Sequence, residues 1–297
     1  MSRWRPFLLV TASILMLLAV SAPTSRAIGS NSFVLTGNWV QAGIGSGGGI
    51  IDDALTVGLK YDKTGAGSFS AVDYLVGSVG LEFYSLRING VWKAAGTVYG
   101  NNFGAFTDYG DSHLSAQTIF TYGDLWVNQV VYFGLNNDTL SFNIFGVNYG
   151  SVTLTDVVYA RGLDPNPDMI PFGVADTINT ITGNKVRALG GWSGRYIELV
   201  DHTGFGVPTV DYNWTAYPND LLVPHNDGDG DNTINLAWNI GNVGPGEYFF
   251  LYFDYVLGDP PPLYGPQPAH TPLPAPVWLV GAGLLGLALH RGLRRRP

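Results

Sequence analysis

Between residues 54 and 257 the sequence breaks again and again into short apolar or alternating runs, each ended by Gly, Asn, Asp or Pro. Thr139-Leu140-Ser141-Phe142-Asn143-Ile144-Phe145 alternates polar and apolar without interruption, the period of a strand with one buried face. The run 125–135 before it is rich in aromatic and β-branched residues, and Asn136-Asn137-Asp138 between the two supplies a turn. The pair therefore reads as a hairpin. Similar runs occupy 54–61, 79–88, 114–122, 152–160, 185–189, 196–200, 234–240 and 247–257. No stretch longer than about 12 residues in this region keeps a 3.6-residue period, so helices are a minor part. Short strands at regular spacing predict an all-β, antiparallel sandwich body over residues 28–258. A double sandwich is the expected form, as one compact unit whose halves meet near 161–182.

The composition points the same way. Among 297 residues there are 20 Asp but only three Glu, together with 40 Gly; Asp and Gly favour turns, whereas Glu favours helix interiors. The absence of Cys excludes disulfide-stapled scaffolds and Cys-ligated metal folds, and a body of this length can bury enough apolar surface to fold without them. Residues 28–259 hold eight basic against 23 acidic side chains, a net −15. Such a body repels nucleic acid, and its charge serves as a solvated surface or attracts cations and basic partners.

Both ends differ from the body. Arg3 and Arg5 precede an apolar run from Phe7 to Val20, and small and polar residues then lead to Ser25-Arg26-Ala27. This is the layout of a secretory signal peptide, here a helix within residues 1–27 cut after Ala27. A membrane-anchoring first helix is the rival reading, against which the run is shorter than the roughly 20 residues a spanning helix needs. At the other end, eight prolines between Asp259 and Pro276 form an extended, semi-rigid spacer, with 259–271 as the linker proper. An unbroken apolar run from Val277 to Leu289 follows, with Trp278 near its start, His290 after it and Arg291, Arg294, Arg295 and Arg296 beyond. An interfacial Trp and snorkelling Arg extend the reach of such a run, so 277–290 reads as a transmembrane helix with its C-terminus on the cytoplasmic side.

The order of those last parts carries a resemblance. Thr271-Pro272-Leu273-Pro274-Ala275-Pro276-Val277-Trp278-Leu279, then Gly281-Ala282-Gly283-Leu284-Leu285-Gly286-Leu287, then the Arg cluster, resembles the PEP-CTERM protein-sorting signal in its Val-Pro-Leu-Pro-Ala variant, with Thr271 in place of Val. The resemblance covers residues 272–297 and implies a motif at Pro272, Leu273, Pro274 and Ala275 read by an exosortase-type processing enzyme. It further implies export through the inner membrane of a Gram-negative-type bacterium, an end point at the cell surface or in the extracellular matrix, and an association with exopolysaccharide or biofilm. A weaker resemblance covers the body. Asp73-Tyr74-Leu75-Val76-Gly77, the segment 161–168, Thr177-Ile178-Asn179-Thr180-Ile181 and 232–238 with Pro245-Gly246 are similar to β-sandwich bodies of bacterial surface proteins, which implies a fold and no activity.

Several motifs bear on chemistry. Asp227, Asp229 and Asp231 alternate in the loop Asn226–Asn232, as an oxygen cage for calcium requires, but Asn232 and Trp238 stand where an EF-hand has Gly and Glu. The segment reads either as a calcium loop or as an acidic turn, and no other cofactor is expected. Two G-x-G-x-x-G matches, at Gly43, Gly45 and Gly48 and at Gly281, Gly283 and Gly286, lack the surrounding βαβ unit that dinucleotide binding needs. Gly191-Trp192-Ser193-Gly194-Arg195 departs from a nucleophile elbow at Arg195. His113, His202 and His225 have no zinc-ligand spacing, and no spacing singles out a glycosidase pair among the carboxylates. Trp192 and Trp214 sit beside Gly, Ser, Asn and Thr, which makes them the candidate sugar-stacking platform, since aromatic faces suit apolar C–H surfaces. The expected function is that of a non-enzymatic exported surface or matrix protein, with a carbohydrate-binding module or a polysaccharide-active enzyme as alternatives.

Overall fold

The computed structural model describes residues 32–259 apart from 70–71, 77–80, 97–98, 102, 104–106 and 113. The expected signal peptide with its Ala27 cut, the linker beyond residue 259 and the sorting signal with its helix lie outside the described residues. In chain order the strands are β1 (Phe33–Thr36), β2 (Val40–Ile44), β3 (Leu59–Tyr61), β4 (Glu82–Ile88), β5 (Val91–Gly96), β6 (Gly100–Asn101), β7 (Thr107–Ser112), β8 (Ser115–Tyr122) and β9 (Leu125–Tyr132). They continue as β10 (Thr139–Asn148), β11 (Leu154–Leu163), β12 (Thr177–Thr182), β13 (Lys185–Gly190), β14 (Tyr196–Asp201), β15 (Val207–Asp211), β16 (Thr233–Val243) and β17 (Tyr248–Gly258). Two single-turn helices, α1 (Met169–Phe172) and α2 (Pro218–Leu221), interrupt them. Among the described residues no helix is long and apolar enough to cross a membrane.

The strands form antiparallel sheets of eight (β12-β13-β14-β17-β10-β9-β8-β7), six (β15-β16-β11-β4-β5-β6) and three (β1-β2-β3) strands. The expected hairpin is present: β9 and β10 pair with Ser141 opposite Tyr132. β4 and β5 are joined by Asn89 and Gly90 at φ 52° and 81°, the left-handed pair of a type I′ turn that matches the twist of the strands it joins. The larger sheets face each other. Trp238 of β16 lies 5.0 Å from Phe253 of β17, and the Arg161 guanidinium of β11 lies 4.3 Å from the Phe142 ring of β10. Leu35, Val40, Ala42, Ile44 and Leu59 of the three-stranded sheet join the same core.

Two expectations need correction. The body is one sandwich and not a double one: each large sheet takes strands from both halves of the chain, and β11 runs straight through Arg161 at the centre of the six-stranded sheet. The expected strand 54–61 is a strand only from Leu59. Asp52 accepts the backbone N–H groups of Thr56 and Val57 and the Thr56 hydroxyl, and this holds the first part of the segment as a turn.

That use of Asp recurs and explains the excess of Asp over Glu. Asp73 accepts the N–H groups of Gly58, Leu59, Leu75 and Val76. Asp62 accepts those of Thr64, Ala66 and Ser68. Asp201, fully buried, accepts from Thr203, Gly204, Gly206 and the Trp238 indole. A short carboxylate satisfies its own loop where a longer Glu would overshoot. In Asp62 and Asp201 these bonds favour the charged form. The Thr64 hydroxyl is the chief cause that brings Asp62 down to about 2; burial works against the Asp201 charge, but its hydrogen bonds to Thr203 and Trp238 outweigh that and lower its pKa.

A carboxyl depressed in the folded state contributes stability that is present above its unfolded pKa and lost as pH falls through the folded one. Urea denaturation therefore shows wild-type stability falling from about pH 4 toward pH 2, the unfolded value being about 3.9, with a shallower fall in Asp62→Asn. Asp201→Ala, which takes the acceptor from the Thr203, Gly204 and Gly206 N–H groups and leaves the buried indole N–H with only the Thr203 hydroxyl, costs about 3 kcal/mol near neutral pH. An unchanged acid limb in Asp62→Asn would show that this loop does not set acid stability.

Candidate functional site

On the outward face of the six-stranded sheet, small residues make room for a covering segment. Ala94, Ala160 and Ala237 lie beneath Ala216 and Leu221, and with Leu81 and Phe83 they form a second apolar cluster, against which Tyr99, Trp214 and Leu222 pack. The covering chain leaves β15 at Asp211, whose Oδ1 accepts the N–H of Asn213 at 2.6 Å. Trp214 follows at φ 55°, a left-handed conformation that costs a bulky residue about 1–3 kcal/mol and persists only where its surroundings hold it. Two bonds hold it here: its indole N–H donates to the Asp231 carbonyl at 2.9 Å, and its own carbonyl accepts the Tyr99 hydroxyl at 3.4 Å. Pro218 then opens α2, preset for a helix start.

The chain returns beside β15, where Asn226 bridges in parallel to Val210. This brings His225 and Asp227 next to Asp211. A ring nitrogen of His225 and one carboxylate oxygen each of Asp211 and Asp227 lie within 4.8 Å of one another. Asp227 Oδ2 accepts the Tyr212 N–H at 3.0 Å, and His225 Nδ1 donates to the Val223 carbonyl at 2.7 Å.

Between this loop and β5 lies a cleft of about 570 Å³, with Trp92, Tyr99, Tyr212 and Trp214 as its rings and Asp211, Asp220, His225 and Asp227 as its polar groups. Trp92 is braced by Tyr217, with ring centroids 5.5 Å apart. A shallower recess of about 330 Å³ beside Trp92, Lys93 and Tyr99 prolongs it along the sheet edge. Burial, with the Asp211 charge adding to it against a backbone hydrogen bond from Ala216, raises the pKa of Tyr99, so the ring presents a neutral hydroxyl. Apolar rings beside acidic acceptors suit a polyhydroxylated ligand that stacks its C–H faces and donates its hydroxyls.

The candidate residues from the sequence scatter. Trp214 and Asp227 converge on this cleft. Trp192 is 72% exposed but stands in the β13–β14 turn, 5.9 Å from Phe172, outside the cleft lining. Asp229 Oδ1 accepts the Asn179 N–H, and Asp231 hydrogen-bonds Asp164, its pKa raised by burial and by the Asp176 charge; Asp227, Asp229 and Asp231 are thus each turned to a different partner. Ser193 Oγ accepts the Arg195 N–H as a turn residue. His202 pairs with Asp254 at 2.8 Å, a bond that raises its pKa, while His113 lies outside the described residues. Sequence reasoning missed Asp211, Tyr212 and Trp92. It also set aside His225, although His225 and Asp227, two apart in an extended segment, face the same side.

No protein-family model and no curated protein matches the sequence. In fold, the chain is similar to a bacterial glucoamylase solved in complex with acarbose, with a TM-score of 0.53 at 10% identity over 81% of this chain and 34% of that one. The chain thus spans about a third of the glucoamylase. A galactose mutarotase related enzyme from Lactobacillus acidophilus is matched with a TM-score of 0.45 at 10% identity, over 77% of this chain and 97% of that one.

Proposed function

We propose that the protein is an exported, non-enzymatic surface or matrix protein whose sandwich body binds extracellular polysaccharide in the cleft between Trp92 and Trp214. The observation that carries this reading is the pairing of the exposed Trp92 ring on β5 with the half-buried Trp214 ring of the loop after β15, beside hydrogen-bond acceptors on one wall, Trp214 being held in a strained conformation. Asp211, Asp220 and Asp227 together with the body's net −15 repel polyanions, so the ligand is a neutral or amino-sugar polymer, not a uronate-rich or sulfated one. The address rests on the two ends of the sequence: the signal-peptide layout, and the Pro272-Leu273-Pro274-Ala275 motif with the apolar run and Arg cluster after it.

Intact mass and cell fractionation test the address. The wild-type product begins at Ile28, ends near Pro274 and is found outside the inner membrane, whereas Pro272→Ala/Pro274→Ala keeps its C-terminus and stays in the inner membrane. The same full-length product in the inner membrane for both proteins would contradict sorting. Release of reducing ends from a polysaccharide by the wild type, abolished in Asp211→Asn, would make the protein an enzyme instead of a binder.

A further inference from the structure

We infer that Asp211, His225 and Asp227 hold a divalent transition-metal ion at the floor of the cleft. Their ligand atoms already lie within 4.8 Å of one another, close enough to converge on one ion at bond lengths of about 2.0–2.2 Å with small side-chain movements. Two further observations point to a ligand. The Asp211 side chain belongs to a residue only 2% exposed, and its Oδ1 accepts the Asn213 N–H, so the carboxylate is held in place beside His225 and Asp227. His225 in turn donates its Nδ1–H to the Val223 carbonyl, which fixes the tautomer and leaves the lone pair on Nε2, the arrangement by which a backbone carbonyl orients a metal-ligating imidazole.

The donor set selects the ion. Calcium takes six to eight oxygen ligands in a flexible cage, whereas one imidazole and two carboxylates suit Zn²⁺ or Mn²⁺. Asp227 is the one member of the alternating Asp loop that takes part, because Asp229 and Asp231 are turned to Asn179 and Asp164. Three protein ligands leave coordination positions open toward the cleft. The ion offers them to water or to a pair of sugar hydroxyls, a role that rests on the carbohydrate reading, while its binding does not.

The test is calorimetric titration of tag-free, full-length protein, first dialysed against EDTA, with ZnCl₂, MnCl₂ and CaCl₂ in turn. One Zn²⁺ or Mn²⁺ per chain binds more tightly than Ca²⁺, and His225→Gln and Asp227→Asn each weaken it by about tenfold or more. Asp211→Asn sits in a buried position and is read only if its thermal unfolding matches wild type; His225→Gln, at a half-buried position, keeps the test decisive. Cobalt substitution adds a signature, since its visible absorption bands shift when the imidazole ligand is lost. The proposal is overturned if neither Zn²⁺ nor Mn²⁺ binds, or if His225→Gln binds them as tightly as wild type. Metal uptake without glycan binding would overturn the carbohydrate reading alone; EDTA-insensitive glycan binding with no metal uptake would overturn this inference alone.

Discussion

Arg161→Met should lower the stability of the protein by about 3–5 kcal/mol, the cost of stranding a buried charge. Arg161 and Glu82 are both fully buried at the centre of the sandwich, with Nε 2.7 Å from Glu82 Oε1. The Tyr255 hydroxyl lies 3.0 Å from the same Nε and donates to Glu82 Oε1 at 3.2 Å, and Arg161 Nη1 reaches Gln129 Oε1 at 3.4 Å. Glu82 Oε2 accepts the Ile50 N–H, so the Gly-rich segment before β3 is tied to the same pair. Burial works against the Arg161 charge, but the Glu82 carboxylate next to it outweighs that and drives its pKa upward. Arg161 therefore stays charged in the core.

Without Arg161, the fully buried Glu82 keeps only the Ile50 N–H and the Tyr255 hydroxyl as donors. The double replacement Arg161→Met/Glu82→Gln removes both charges and should recover most of the loss, because the desolvation cost of a buried ion pair is comparable to its attraction. Urea denaturation of the two single variants and the double measures this coupling. A single variant within about 1 kcal/mol of wild type, inside the range of ordinary surface changes, would show that the pair is not the electrostatic centre of the fold.

The second large effect concerns binding. Trp214→Ala should weaken binding of a neutral extracellular polysaccharide by about 30-fold, the equivalent of a 2 kcal/mol hot-spot ring. Trp92→Ala should act in the same direction, because its ring forms the facing wall and closes onto the prolonging recess. Trp192→Ala should leave affinity unchanged, since that ring packs on Phe172 in another turn. Affinity electrophoresis with the extracellular polysaccharide of the producing organism reads all three. Equal retardation of wild type and Trp214→Ala would remove the cleft from the account.

The class of fold was legible because alternation such as that of 139–145 has one physical meaning, a strand with one buried face. Register and sheet membership were not, since they depend on contacts between residues far apart. Asn89-Gly90 carried a readable hairpin signal, and following it would have located β5 and with it Trp92. The segment 164–168 has the Asp and Pro residues of a turn, yet all five are buried, with Asp168 accepting the N–H groups of Trp192 and Ser193. Sequence alone shows that an Asp makes a turn; it does not show which turn is folded under the sheet.

The candidate site divides in the same way. Trp214 and Asp227 could be singled out by residue type and local context. Their convergence with Trp92 depends on the strand order β15-β16-β11-β4-β5, which places distant segments on one face.

The most direct test is the indole region of a ¹⁵N-correlated NMR spectrum, recorded as neutral oligosaccharides from the producing organism's extracellular polysaccharide are titrated into the protein. The account predicts that the Nε1–H signals of Trp92 and Trp214 move together with a single saturating dependence, while those of Trp192 and the buried Trp238 stay in place. Indole signals that remain fixed at every concentration, or movement of Trp192 alone, would contradict it.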